Sequence, residues 1–326
     1  MSARAVLLVA RQEIRTRLRT GRWRWLLASW VVVVGIFTLL VTLALEATND
    51  VHYNDFENPP PPPSIGPALF TILIIVVFSL IMVVSPALTA QSINGDRERG
   101  TLAVLQVTRL RPAEIAVGKL LAGWGVGVAA LALTFPFALW PLVYGGVGAW
   151  RIPIVYLIMA VLLGVVCAVA QALSVLVVRG ITSTMLAYAS VFALCIGTLI
   201  VYGLMGAAFT QERTVVLPEG QGSYTTTSPS DNIWWVLAPN PFVVLLDASP
   251  VAPEPPRDAY NQDPLKDLQS SIRSSRQPAD EDPYDAPLVW PYGLAANLVL
   301  GVGSVLITIR RLRAPATSVP RGVRIA

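Results

Sequence analysis

Charged residues are scarce in this sequence. Asp, Glu, Lys and Arg make up 13% of its 326 residues, whereas hydrophobic residues make up 54%. A soluble domain usually carries about 25% charged residues, so this composition excludes an ordinary water-soluble fold. The apolar residues are also clustered in long blocks, which is typical of membrane spans rather than of one large buried core. The composition therefore predicts a protein whose surroundings are mainly lipid.

Residues that carry out catalysis or bind metals are scarce as well. The only histidine is His52, which excludes a histidine-based metal cluster or catalytic dyad. The two cysteines, Cys167 and Cys195, lie inside apolar blocks, which indicates packing rather than a disulfide framework. Gly118-Lys119 comes nearest to a phosphate loop, but the chain has Ala113 where that loop needs its first glycine. The chain is therefore not expected to be an enzyme, and energy for any uphill transport must come from another chain.

Six apolar runs contain no ionisable residue and are long enough to cross about 30 Å of hydrocarbon. The six runs are 25–45, 67–88, 120–144, 152–178, 181–209 and 288–309. The first run lacks the short apolar core and small-residue cleavage site of a secretory signal, so it is expected to be a retained span. Because proton-coupled carriers usually need an ionisable relay within their spans, these runs argue against that class of protein.

Lysine and arginine are distributed unevenly between the two sides of these spans. One side comprises 1–24, 89–119, the turn at Arg179-Gly180 and 310–326, with eighteen basic and four acidic residues. The other side has six basic and sixteen acidic residues. By the positive-inside rule, both termini are predicted to be cytoplasmic. The sequence therefore predicts an all-α polytopic membrane protein with six transmembrane helices, in the plasma membrane.

Residues 1–24 are predicted to form a helix that lies at the cytoplasmic interface. Leu7, Ala10, Ile14 and Leu18 would form one apolar stripe, and the neighbouring arginines would reach lipid phosphates. The alternative interpretation is a basic topology signal without fixed structure.

Two outer segments are also distinctive. Five consecutive prolines, 59–63, predict a stiff spacer in the first outer loop. The last outer loop, 210–287, is long, acidic and rich in proline, which is typical of a flexible segment. Within it, 233–247 is predicted to be a short apolar helical segment. This segment would dip into the outer leaflet, cap the bundle or pack on the first outer loop, and the sequence leaves these three alternatives open.

The segment between the second and third runs, 89–119, contains the sequence GDRERGTL at 95–102. It predicts a short cytoplasmic helix at about 92–107. Pro112 and Glu114 then favour the start of a second helix that continues through Lys119 into the third span. By spacing alone, the charges of this segment are ordinary juxtamembrane charges.

The residues of this segment also resemble a family signature. Asp96-Arg97-Glu98-Arg99-Gly100-Thr101-Leu102, followed by Leu105, Thr108, Glu114-Ile115 and Gly118-Lys119, is similar to the motif of ABC transporter permeases of the type-two export class. The chain departs from that motif at Arg109, where the family commonly has proline. Members of the family have six spans, cytoplasmic termini, an N-terminal interfacial helix and a longer outer segment before the sixth span.

The resemblance implies a permease subunit of an ATP-driven exporter. Its cytoplasmic helix would be a coupling helix that docks in a groove of a separate ATP-binding subunit. The residues implied in this contact are Asp96, Arg97, Glu98, Arg99, Gly100, Thr101, Leu102 and Leu105. No cofactor is expected on this chain, since ATP and Mg²⁺ would bind the partner subunit. A second permease chain, identical or related, would complete the pathway.

Two amides within the spans, Gln171 and Asn297, are candidates for polar groups of a pathway, although such amides more often bond to a neighbouring helix. One alternative function is a non-transporting membrane subunit that signals to or regulates an extracytoplasmic partner through 210–287. An intramembrane enzyme is a weaker alternative, because the spans contain no catalytic constellation.

Overall fold

The computed structural model describes residues 2–19, 22–53, 64–100, 110–216, 223–229, 233–249, 264–276 and 288–313. Six of its helices are long and apolar enough to cross a membrane, which confirms the predicted number of spans. In chain order, spans one to six are Trp25–Ala47, Gly66–Glu98, Pro112–Tyr144, Arg151–Leu176, Gly180–Ala208 and Trp290–Arg313. The five-proline segment lies outside the described residues.

The described residues contain twelve α-helices. They are α1 Ala3–Arg19, α2 Arg22–Tyr53, α3 Gly66–Thr89, α4 Asn94–Glu98, α5 Pro112–Leu139, α6 Arg151–Leu176, α7 Gly180–Phe192, α8 Thr198–Ala208, α9 Trp234–Leu237, α10 Pro241–Ala248, α11 Pro264–Ser274 and α12 Trp290–Arg313. A 3₁₀ turn, Trp140–Tyr144, follows α5, and a π turn, Ala193–Gly197, joins α7 to α8 within span five. The helix of span three begins at Pro112, as the sequence predicted, so Lys119 lies inside it.

Spans two and four form the centre of the bundle. The main apolar core includes Phe70, Phe78 and Met82 from span two, packed with Met159 and Leu163 from span four. Spans one and five lie at the periphery, since only 17% of the residues in each apolar window are buried, against 56% in span two. Both cysteines are free and buried, as the sequence predicted.

Hydrogen bonds from indole and phenol groups join neighbouring spans. Trp30 Nε1 in span one donates to the carbonyl of Ala130 in span three at 3.1 Å, and Trp124 Nε1 donates to the carbonyl of Ala160 in span four at 2.8 Å. Tyr156 bonds through its hydroxyl to Thr134 Oγ1 at 3.0 Å. Such bonds satisfy polar groups that hydrocarbon cannot solvate, and they fix span three between spans one and four.

The two ends of the bundle differ in charge. We call the end that carries α1, α4, the turn before Gly180 and the end of α12 the basic end. The opposite end carries 145–150, 210–216, 223–229 and α9 to α11. We call it the acidic end, because the sequence of 210–287 has twelve acidic and five basic residues. Because six crossings return the chain to its starting side, α1 and the end of α12 lie at the same end.

A β-hairpin at the acidic end is the feature that the all-α prediction did not include. Strands β1 Thr210–Val216 and β2 Ser223–Pro229 pair antiparallel, with Thr210 opposite Pro229 and Val216 opposite Ser223. The strands are rich in threonine and valine, whose branched side chains favour extended backbone. The hairpin follows span five directly.

Helices α9 and α10 cap the bundle at the acidic end. Val244 and Leu245 of α10 belong to the main apolar core. Asn240 caps α10, because its Oδ1 accepts from the backbone N–H of Phe242 at 2.8 Å. Its Nδ2 donates to the carbonyl of Cys195 in the π turn at 2.8 Å. The Asn240 amide thus bonds α10 to the π turn within span five.

A buried carboxylate, Asp247, joins the end of α10 to span six. Its side chain is fully buried, and its Oδ2 accepts from the backbone N–H groups of Val289 at 2.8 Å and Trp290 at 2.7 Å. Its Oδ1 accepts from Arg273 Nε of α11 at 2.6 Å. Span six also approaches α9 and α10 closely, since a Cβ on Gly293 would lie 2.1 Å from the carbonyl oxygen of Ala238. Asp247 therefore satisfies the first N–H groups of a span that lies more than forty residues further along the chain.

Candidate functional site

The segment that carries the sequence motif begins where α3 ends, within the last residues of span two. After α3 ends at Thr89, a turn leads into α4. In this segment, the backbone N–H of Gly95 donates to the carbonyl of Gln91, and that of Arg97 donates to the carbonyl of Ile93. Gly100 has φ 71°, a conformation that glycine adopts without strain, and it ends this turn of helix. Of the predicted site residues, 96–100 are described, and Thr101, Leu102 and Leu105 lie outside the described residues.

Hydroxyl groups of spans four and five hold the start of α4. Ser174 in span four is fully buried, and its Oγ accepts from the backbone N–H groups of Ile93 at 3.2 Å and Asn94 at 3.1 Å. Ser183 in span five donates from its Oγ to the carbonyl of Ala90 at 2.9 Å. The segment between spans two and three is therefore bonded directly to two other spans.

Lys119 is the charged centre of the basic end. Its side chain is 2% exposed, and its Nζ lies 3.2 Å from Glu13 Oε2 in α1 and 2.5 Å from Asp96 Oδ2 in α4. Nζ also donates to the carbonyl of Ser92 at 3.0 Å. One ammonium group thus joins the N-terminal helix, the α4 segment and span three.

The two remaining acids of the basic end that the structure describes also make specific contacts. Glu98 Oε1 accepts from the backbone N–H of Gly180, at the start of span five, at 3.4 Å. Glu114 is buried and accepts from the backbone N–H groups of Ser2 at 2.7 Å and Arg111 at 3.0 Å. Its carboxylate therefore caps α5 and ties the beginning of α1 to it.

An apolar cluster lies between α4 and the spans. Ile93 packs with Ile115 of span three, Val175 of span four and Leu312 of span six. Ile93 and Ile115 are 0% and 2% exposed. Spans three, four and six therefore meet the α4 segment through close packing.

The outer side of α4 presents charges of both signs. Glu98 and Arg99 are exposed, whereas Asp96 and Arg97 are half-buried. Arg97 donates from Nη1 to Asn94 Oδ1 at 3.2 Å, which holds its guanidinium against the same turn of helix. This surface offers both donors and acceptors to a partner, while the other side of the segment is bonded to the bundle.

Helix α1 packs on span three with a different face from the one the sequence suggested. Val6, Val9 and Ala10 are buried, and a Cβ on Gly118 would lie 2.7 Å from Val9 Cβ. Of the predicted apolar stripe, Ala10 is buried, Leu7 is 64% exposed and Ile14 is half-buried. The side chain of Leu18 lies outside the described residues. The packed face is set by the close approach to Gly118, which a single-helix pattern does not reveal.

The two pathway candidates lie inside the chain. Gln171 is 2% exposed and donates from Nε2 to the carbonyl of Ala116 in span three at 2.9 Å. Asn297, also 2% exposed, donates from Nδ2 to the carbonyls of Pro239 and Gly293, both at 2.9 Å. The structure thus brings neither amide to the α4 segment, and both join helices within the bundle.

Sequence reasoning missed Glu13, Lys119, Ser174 and Ser183 as parts of this site. Two of them left a signal in the sequence, because Glu13 is the single acid among the seven arginines of 1–24, and Lys119 stands next to Gly118 in the quoted motif. Ser174 and Ser183 left none, since serine is common within spans and is usually bonded to its own helix.

Comparison with known proteins identifies one family. The model for the ABC-2 family transporter protein matches residues 26–248, which is more than half of the chain. The matched region contains spans one to five, the α4 segment and α10. Among curated proteins, none matches the chain.

Proposed function

This chain belongs to the ABC-2 transporter family, and from that premise we propose that it is the permease subunit of an ATP-driven exporter. The family and the six apolar helices make it a multi-pass membrane protein and a membrane subunit of an ABC transporter. Membership also implies an ATP-binding partner. The export direction and the route of coupling belong to the proposal.

The observation that carries the proposal is the attachment of α4 to the bundle. Ser174 and Ser183 bond the segment to spans four and five, and Lys119 bonds it to span three. A partner that moves α4 must therefore move these spans with it, because close-packed interfaces transmit displacement rather than absorb it.

In this proposal, the basic end is cytoplasmic and α4 belongs to the coupling helix. The positive-inside rule supports the orientation. The exposed Glu98 and Arg99 orient the partner subunit through polar contacts. Leu102 and Leu105 supply the apolar anchors of the docking contact. ATP and Mg²⁺ bind to the partner subunit, whose closure on nucleotide displaces the coupling helix and shifts the spans between inward-open and outward-open states.

A second permease chain, identical or related, completes the pathway. Spans one and five support this arrangement, because they are the two least buried spans of the chain. Exposed apolar side chains such as Leu199 and Leu204 of span five face lipid or a second chain.

The variant Leu102→Asp/Leu105→Asp tests the docking contact. A buried apolar anchor contributes about 2 kcal/mol to an interface. We therefore expect the double variant to weaken binding of the ATP-binding subunit by roughly 100-fold or more, and ATP-driven substrate movement to be lost. The measurement is co-purification with that subunit, followed by ATP hydrolysis and substrate movement in liposomes.

The matched control is Leu268→Asp/Leu288→Asp, which changes two exposed leucines at the acidic end. It should leave both binding and transport intact. Undiminished transport in the Leu102/Leu105 variant would contradict the docking assignment. ATP hydrolysis that the wild-type complex never couples to substrate movement would instead favour the non-transporting alternative.

A further inference from the structure

The outward face of α1 carries a stripe of arginines. Arg4, Arg11 and Arg15 are all exposed. With 3.6 residues per turn, their spacing of seven and four places them on one side of the helix. The opposite side is the one that packs on span three through Val6, Val9 and Ala10. The arginines therefore contribute nothing to the packing of α1 on the bundle.

Two leucines lie beside this arginine stripe. Leu7 and Leu8 are each 64% exposed. Exposed leucines next to arginines are typical of a helix that lies in the membrane interface, with apolar side chains in the acyl region and cations at the phosphates. Only residues 20 and 21 separate α1 from α2, so the end of α1 is held close to the membrane by the chain itself.

No acid accompanies the arginines on this face. Glu13 is the only acidic residue of 1–24, and its carboxylate faces the other way, toward Lys119. The outward face is therefore positive and apolar, which complements an anionic lipid surface better than a zwitterionic surface or an aqueous one.

We propose that α1 binds anionic phospholipids of the adjacent leaflet, and that this binding stabilises the α4 segment through Lys119. Glu13 Oε2 and Asp96 Oδ2 both contact Lys119 Nζ, at 3.2 and 2.5 Å. Seating α1 on the membrane keeps Glu13 in place. Glu13 then keeps Lys119 against Asp96 and the carbonyl of Ser92, and so holds the start of α4 in the conformation described above.

This inference concerns the segment to which the proposed function assigns docking, but its test needs no ATP-binding subunit. The full-length permease is placed in phosphatidylcholine nanodiscs, with or without phosphatidylglycerol. Amide hydrogen exchange is then measured by mass spectrometry over 3–19 and 91–100. One basic residue near an anionic surface strengthens binding to that surface on the order of fivefold. Three arginines should therefore slow amide exchange in α1 by up to roughly 100-fold when phosphatidylglycerol is present.

Two variants separate the binding of lipid by α1 from the effect of that binding on the α4 segment. Arg4→Gln/Arg11→Gln/Arg15→Gln should abolish the effect of phosphatidylglycerol on both segments. Glu13→Ala should keep the effect on 3–19 and lose it on 91–100, because it removes the contact with Lys119 and leaves the arginines in place. The matched control is Arg310→Gln/Arg311→Gln/Arg313→Gln, which removes three exposed arginines from the end of α12 and should behave as wild type.

The proposal is overturned if exchange in 3–19 is the same in both lipids, or if the α12 control loses the effect equally. It is also overturned if anionic lipid protects 3–19 but never 91–100 in the wild type. None of these outcomes would bear on whether the chain works with an ATP-binding subunit, since none is present.

Discussion

Replacing Lys119 with methionine is expected to lower the free energy of unfolding by about 3 kcal/mol. The ammonium group is 2% exposed and faces two carboxylates, Glu13 and Asp96, which lie largely within the structure. Without it, both carboxylates lose the ammonium group that lies between them, and the carbonyl of Ser92 loses its donor. Because the carboxylates keep some contact with water, the loss falls at the lower end of the range for a broken buried ion pair.

The measurement is chemical denaturation of the purified protein in mixed micelles. Arg310→Met is the matched control, since it removes an exposed cation at the same end of the bundle. It should change stability by about 0.5 kcal/mol or less.

Neutralising the whole cluster should restore most of the lost stability. A buried ion cluster replaced together by groups of similar volume is often neutral, so Lys119→Met/Glu13→Gln/Asp96→Asn should approach the wild type. If the single Lys119→Met change has no effect, the cluster does not hold the basic end together. If the triple variant is as unstable as the single one, the loss comes from packing rather than from uncompensated charge.

Replacing Asp247 with alanine is expected to lower the free energy of unfolding by about 3–5 kcal/mol. The carboxylate is fully buried and accepts three hydrogen bonds, from Arg273 and from the backbone N–H groups of Val289 and Trp290. Val289 is itself fully buried, so its N–H has no water to replace the lost acceptor. The first turn of span six should therefore open more often.

Hydrogen exchange over 288–294 measures this opening directly. Chemical denaturation in mixed micelles measures the change in the free energy of unfolding. Asp247→Asn keeps an acceptor without the charge and should lose less stability. Glu46→Ala removes a half-buried carboxylate that accepts a hydrogen bond from the Tyr144 hydroxyl at 2.9 Å, and this change should lower the free energy of unfolding by about 1 kcal/mol or less. Unchanged exchange over 288–294 in Asp247→Ala would show that this carboxylate does not hold the start of span six.

The spans and the helix start at Pro112 were predictable, because both follow from local physical constraints. A run without charges must be long enough to cross hydrocarbon, and proline with a nearby carboxylate favours a first helical turn. The charged segment 95–102 was also identified from its sequence, through the family motif. These features need no knowledge of which residues meet in three dimensions.

The contacts that organise the site were not predictable in this way. Lys119 lies 106 residues from Glu13 in the sequence, and Asp247 lies 42 residues from Val289. Nothing in the pattern of α1 alone shows that Val6 and Val9 face Gly118, because that choice depends on the shape of span three. Similarly, only the folded chain places the amide of Asn240 against the π turn of span five.

The most direct test of the account is a cross-link from the outer side of α4. Benzoylphenylalanine in place of Arg99, which is exposed, is irradiated in native membranes of cells that express the chain, and cross-linked chains are identified by mass spectrometry. If α4 docks on an ATP-binding subunit, the probe at position 99 will cross-link to a subunit that carries a nucleotide-binding phosphate loop. The same probe in place of Trp235, which is 58% exposed at the acidic end, will give no such cross-link. A cross-link to such a subunit from position 235, with none from position 99, would contradict the account.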